Sequence, residues 1–504
     1  GQKIRVTAQL IKASDGYHVF SETYDGDLND IFAVQDNIAA KIGGALKAEL
    51  MGEENEAEHS APADLAAYDL YLLARQRIYT REAAKLNEAA DMLDRAIALD
   101  PEFAPAYAQR SIVTSLLSGG SSSYGDIPVD EASRLAQQYA EKALALDPNL
   151  AEAHAALGLQ RQQSSVPFED KTAPLLRALE LNPTLSDARN WLGIVMRSEG
   201  RSDDALAAYE AIFERDPLYG PAFGNLTVVY LTRGETDKAA ALIDRVARIG
   251  GETSAVLMAR GMAAQEAGDL STAIEQYRES AKTSNSNVLR YQFSTALRQI
   301  GALEEALENS SDIDKPEVLY VMGRHDDALA AVEALPVLDY GDPALLYSVF
   351  AAYARAGEYK AAADYLAGNF GSLEKAAADA PDSVGDWLAP LAYSYKKLGR
   401  KADLAKALSM LDAHFASQTR NGFQSWFYWL GMAELDLLKG DEDAVFANLK
   451  QAQEHGGVWA PNFWPASFED LRGNERFQAI QAEMTTIINA ERGELGLAAL
   501  SPSQ

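Results

Sequence analysis

The sequence predicts an all-α chain, a superhelical solenoid of antiparallel helix pairs, preceded by a short β-hairpin plus helix belonging to an incomplete α/β domain. Three observations predict it. Pro148, Pro183 and Pro217 end successive apolar helix patterns 35 and 34 residues apart, and the phase continues through Gly251 and Asn285. A fixed period of this size is the signature of stacked helix-turn-helix units. Within each period small residues alternate with large apolar ones at helical spacing. The first ten residues alternate at the period of a strand instead.

Taken in order, Ile4, Val6, Ala8 and Leu10 alternate with Arg5, Thr7 and Gln9, the pattern of a half-buried strand. Ser14-Asp15-Gly16 reads as a turn, and Tyr17 to Tyr24 as the second strand. Asn29 or Asp30 caps a helix whose Ile31, Val34, Ile38, Ile42 and Leu46 share one face. A lone hairpin is marginal in water. Partner strands are therefore expected upstream of Gly1, which makes the polypeptide the carboxy-terminal part of a longer protein. Residues 1–50 are assigned to this domain. The acidic, small-residue stretch over 51–66 reads as a linker.

The regular array spans 67–316. Pro101 and Pro148 lie 47 apart, one period plus a 13-residue insertion, the Gly/Ser-rich loop Ser118 to Asp130. That loop is read either as a tolerated surface insertion or as a flap with Tyr124 at its tip. In the next units Trp191, Leu192 and Gly193 face Ala205, Tyr209 and Ile212 across the turn at Gly200, and Leu226 and Tyr230 face Ala239, Ile243 and Val246 across Gly234. Gly261 and Gly268 with Ala273 and Tyr277 repeat the theme. Residues 317–458 keep a degenerate version of it, with turn glycines at Gly323, Gly357, Gly399 and Gly440. Residues 459–504 are expected to hold a capping helix, with Phe477, Ile480, Met484 and Ile488 on one face, and a tail.

These residues resemble the tetratricopeptide repeat (TPR) family, specifically from about Ala67 to Asn285 and more loosely to Gly456. The resemblance implies a right-handed superhelix with a concave groove lined by the first helix of each pair. Arg5 to Ile42 is similar to the last strands and helix of the TolB-amino-terminal-like (FlgO-like) domain, with Phe20 where relatives carry Trp. In bacterial multidomain proteins that domain precedes TPR arrays and follows a class III nucleotide cyclase, a winged-helix DNA-binding domain or a protein kinase.

Little in the chain points to catalysis, and no enzyme activity, cofactor or metal is expected. The chain has no cysteine, and its six histidines stand singly. There is no glycine-rich phosphate loop or nucleophile elbow. The pairs Asp203-Asp204 and Asp326-Asp327 open second helices, where they meet the positive dipole end. A net charge of −29 opposes nucleic-acid and anionic-membrane binding and permits basic or neutral peptide partners. No apolar run reaches membrane-spanning length, and compartment, cytoplasm or periplasm, depends on residues upstream.

Two functions are carried forward. One is a scaffold binding a peptide or partner domain; the other is the sensory region of a bacterial cyclase or winged-helix regulator. The groove positions implied by the repeat alignment are Asn190, Ile194 and Arg197, then Asn225, Val228 and Leu231, then Met258, Met262 and Gln265. Of the carboxylate-clamp positions of chaperone-binding TPRs only Asn225 coincides. The aromatic-rich segment is assigned to capping at Trp459, Phe463 and Trp464, and is left open between capping and binding at Trp426 and Trp429.

Overall fold

A computed structural model describes residues 3–11, 18–27, 64–119, 123–162, 166–335, 343–379 and 384–500. The chain divides into two compact units, Gly1–Leu65 and Ala66–Gln504. In the first unit the strands Lys3–Ile11 and His18–Asp27 pair antiparallel, with Val6 opposite Tyr24 and Leu10 opposite Phe20. The helix expected after Asn29 and the expected linker lie outside the described residues up to Asp64.

The second unit is built of consecutive helices. Its regular part pairs Ser186–Ser198 with Ser202–Phe213, Gly220–Thr232 with Thr236–Gly250, Ser254–Glu266 with Leu270–Ser280, and Asn287–Gln299 with Leu303–Asn309. The small-to-large pattern is what lets each pair close. A methyl group placed on Gly193 would sit 2.6 Å from the Tyr209 ring, and one on Gly261 would sit 2.6 Å from Tyr277. Both tyrosines are fully buried. The turn glycines Gly200, Gly234, Gly268 and Gly301 adopt positive φ of 68–82°. The N–H after each reaches back to the last turn of the first helix, as in Glu235 N to Tyr230 O at 2.8 Å. This is the left-handed helix stop that glycine makes at little steric cost.

The first described pair departs from that rule. Its turn places Arg81 at φ 55°. A side chain there costs about 1–2 kcal/mol, and the Arg81 guanidinium meets Asp187 at 2.6 Å, on the sixth helix further along. Tyr219 donates to the same carboxylate, and Tyr79 donates to the Leu218 carbonyl at 2.8 Å. The inserted loop is tied down beside them. Tyr124 N donates to Leu116 O at 2.9 Å, Ile127 N to Leu117 O at 3.0 Å, and Tyr124 packs into the amino-terminal core. Its phenol is buried next to Arg81. Tyr124, half-buried, thus packs its side chain against the amino-terminal core.

The carboxy-terminal segment returns to the middle of the array. Gln424 N donates to Thr232 O at 2.8 Å and Ala460 N to Gln299 O at 2.6 Å. Arg492 Nη1 donates to Ile300 O at 2.7 Å and Ser271 N to the Glu491 carboxylate at 2.8 Å. Backbone meets backbone at Gly268, where an added methyl would lie 2.7 Å from the Gly456 carbonyl oxygen. The final helix, Glu475–Glu494, therefore covers the helix Leu270–Ser280 as well as closing the last pair. Trp426, Trp459, Trp464, Phe468 and Phe477 form one buried aromatic core beneath it, with Trp464 and Phe477 centroids 4.7 Å apart.

Candidate functional site

The structure draws the aligned first-helix residues into contacts between repeats to different degrees. Asn190, Leu231 and Gln265 are buried. Asn225 donates to Asn190 Oδ1 at 3.0 Å. Gln265 accepts from the Tyr277 hydroxyl at 2.8 Å and donates to Gln299, which itself donates to the Val458 carbonyl at 3.3 Å. Ile194, Arg197, Asn225, Val228, Met258 and Met262 are half-buried. Met258 and Met262 pack against the core around Tyr277 and Phe293. The polar ends of this set thus clamp neighbouring repeats, and Asn225 faces another asparagine.

One step beyond Leu231 and Gln265, the same helices supply Thr232 and Glu266 to a cavity of about 280 Å³. The helix Pro343–Ala356 adds Tyr347, Ala351 and Arg355, and the helix Val384–Lys397 adds Gly385, Asp386 and Pro390. Phe415 and Gln418 come from Lys401–Arg420, and Phe427, Tyr428 and Glu434 from Trp426–Lys439. Phe423 and Phe463 close it from the connecting segments. It exists only because residues 415–466 return to the middle repeats. Its size is near the lower end of ligand pockets, and its mixture of apolar wall and few polar groups is typical of them.

The electrostatics are lopsided. Glu266 accepts the Trp426 N–H at 3.3 Å, and burial pushes its carboxyl up to about 8. Glu434 is buried, accepts from Ser467 Oγ at 2.7 Å and is raised by burial to about 7. Arg355 is the lone cationic side chain of the lining, and it is committed. Its Nη2 donates to the Trp464 carbonyl at 2.7 Å and lies 3.7 Å from Glu317. Glu317 also pairs with buried Arg298 and accepts from Tyr347 at 3.1 Å. Behind the wall, His414 touches Gly385 and is pushed down to about 4 by burial.

Reasoning from the sequence did not single out Glu266, Arg355 or Glu434. Each lies on a different helix pair, and a lone charge on a helix carries no periodic mark. The signal that could have found the site was the crowding of Phe423, Trp426, Phe427 and Phe463. The structure divides that crowd: Trp426 faces the aromatic core, while Phe427 is 47% exposed and lines the cavity.

Consecutive antiparallel helix pairs, held by glycine turns and surface ion pairs such as Arg233–Asp203, define a helical repeat array. More particularly, residues 196–263 and 175–207 match two models of the tetratricopeptide repeat, and that segment is made of TPR repeats. The chain is 42% identical over 112 residues to "Putative adenylate cyclase 3" of Rhizobium meliloti (strain 1021), covering 22% of this chain and 19% of that relative's length. Among solved structures, Pseudomonas aeruginosa PilF is 20% identical, covering 45% of this chain and 96% of that chain, with a TM-score of 0.31. YrrB, described as a TPR protein with an unusual peptide-binding site, is 25% identical over 38% of this chain and 90% of that chain, with a TM-score of 0.23. An IFIT1 monomeric mutant with Gppp-AAAA is 16% identical over 84% of this chain and 88% of that chain, with a TM-score of 0.37. Among the described residues no helix is long and apolar enough to cross a membrane.

Proposed function

We propose that this chain is a protein-interaction scaffold without catalysis of its own, which binds an extended peptide along the first helices of its regular repeats and anchors it in the aromatic cavity. The carrying observation is that the helices bearing Asn225, Val228, Met258 and Met262 also supply Thr232 and Glu266 to that cavity. Half-buried Ile194, Arg197, Asn225, Val228, Met258 and Met262 form the contact surface; buried Asn190, Leu231 and Gln265 hold it in register. The test is an array of short synthetic peptides probed with the purified chain and with an Arg197→Ala, Val228→Ala, Phe427→Ala triple variant. Peptides bound by the parent should lose at least tenfold in affinity at unchanged helical signal. Equal binding by both chains would remove the groove assignment.

A second reading is favoured by the match to a putative cyclase and by the likeness of residues 5–42 to a TolB-like domain. On this reading the array is the sensory region of a signalling protein, and occupancy of the groove alters an output domain. Determining the coding sequence upstream of Gly1 tests it. A class III cyclase or winged-helix domain there supports the reading, and neither one there ends it.

A further inference from the structure

We propose that the amino-terminal repeats hold a second site, which takes a primary carboxamide carried on a short aliphatic stem. It is separate from the groove and the aromatic cavity, so its failure would leave both untouched.

The site is a cavity of about 90 Å³ among the first helices of successive pairs. Arg81–Asp187 and Tyr79–Leu218 join the end of the helix Leu65–Tyr79 to the starts of two later first helices, which closes the cavity on one side. Two buried atoms of opposite hydrogen-bonding sense belong to its lining residues and have no partner among the described residues. One is Arg81 Nη1, a donor, and the other is Glu152 Oε2, an acceptor. The Arg81 side chain is only 10% exposed. Native proteins rarely leave such atoms unpaired, because each then forfeits its hydration without replacement. The lining tyrosines do not supply the partners: Tyr79 donates to the Leu218 carbonyl and Tyr219 to Asp187. A cavity this small is a few ångströms across, so one small group reaches both atoms.

The charges of the lining select a neutral group. Arg75 and Arg81 face the same space as Glu152 and Asp187. Asp187 already holds Arg81 at 2.6 Å, and Arg75 lies over the Tyr71 ring, 5.7 Å from its centroid. A carboxylate on Arg81 Nη1 would crowd Asp187 and share the cavity with Glu152. An ammonium on Glu152 would share it with two guanidinium groups. Either ion meets like charge where little water screens it. A carboxamide brings an acceptor and a donor without net charge: its oxygen accepts from Arg81 Nη1 and its N–H donates to Glu152 Oε2. Gln109, buried in the same wall, offers a matching amide. Water carries both senses too, but Ile78, Ile112 and Ala155 form an apolar wall that favours an aliphatic stem over water.

The probes are propionamide, propionate, propylammonium and zwitterionic alanine, similar in size and different in charge. Each is titrated into the whole chain and read by ligand-detected NMR. Propionamide should bind roughly tenfold or more tightly than the other three. Glu152→Ala, at a half-buried position, removes the acceptor and should weaken propionamide about tenfold at unchanged melting temperature. Arg81→Lys keeps the charge facing Asp187, removes the Nη1 donor and should cost about as much; if it melts early, Glu152→Ala alone decides. N-acetylglutamine methylamide distinguishes the source. Tighter binding than propionamide assigns the carboxamide to a glutamine side chain of a peptide, and equal or weaker binding assigns it to a free small amide. Propionate, propylammonium or alanine binding as tightly as propionamide, or an unchanged propionamide affinity in Glu152→Ala, overturns the carboxamide. If no probe binds, the cavity holds water only and is not a site.

Discussion

Gly261 shows how much one missing side chain decides. With Tyr277 Cε1 2.6 Å from where a methyl would be, Gly261→Ala must push a buried tyrosine whose hydroxyl is tied to Gln265. Overpacking of this kind costs about 1–3 kcal/mol, and denaturant unfolding of the variant should show it, whereas Gly224→Ala, with open space around it, should stay within about 1 kcal/mol of the parent. Titration acts at the same scale. His414 is held neutral, down to about 4, so the folded chain binds fewer protons than the unfolded one from the ordinary histidine range to about 4. Its contribution to stability is lost as pH falls through that window. Glu266, raised to about 8, acts in the opposite direction: its contribution is lost as pH rises from the ordinary glutamate range towards 8. Melting temperatures at pH 5 and 8.5 should separate the two. His414→Gln should narrow the deficit at pH 5, and Glu266→Gln should raise the melting temperature at pH 8.5 by on the order of 1 °C. Gly261 was legible in the sequence because it falls two 34-residue periods after Gly193, the glycine that follows Trp191. The environments of His414 and Glu266 were not, since burial comes from helices distant in the chain.

At the scale of elements, the helix pairs from Pro183 to Asn285 were readable because each is a local unit whose stops and small-to-large contacts recur within one period. The amino-terminal clamp was not. Arg81 takes a strained position that later pairs give to glycine, and what holds it there is Asp187, more than a hundred residues away. Asp187→Ala would leave a largely buried guanidinium without its carboxylate and free the Tyr219 hydroxyl as well. Loss of one partner of such a pair costs about 3–5 kcal/mol. Urea unfolding followed by Tyr fluorescence should show that loss, and Arg81→Gly combined with Asp187→Ala should recover part of it by removing both the stranded charge and the backbone strain. If the double variant is no better than Asp187→Ala, the clamp does not work through this pair. The insertion teaches the same lesson, because its composition reads as a loop while Tyr124 packs half-buried against the core.

For the whole molecule, period and amphipathicity reveal a stack but not where a stack touches itself. In an open array stability passes only between neighbouring repeats. Here Thr232, Gly268, Gln299 and Ile300 are bonded to or packed on residues 424–492. Removing everything after Arg420 should therefore weaken the regular repeats far from the cut. Hydrogen exchange should show lost protection in the helices Ser254–Glu266 and Asn287–Gln299, with the helices Ala83–Leu99 and Ala104–Leu116 unchanged. Protection lost only near the cut would show that the returning segment is a passenger on the array.

That return also sets a timetable. Thr232 and Glu266 leave the ribosome some two hundred residues before Phe463, roughly ten to forty seconds at ordinary rates of synthesis. During that interval the middle repeats are folded enough to stack but still show the surface that the late aromatic segment will cover. The cavity is the last feature the polypeptide acquires, so a prematurely terminated chain can be helical and yet lack it.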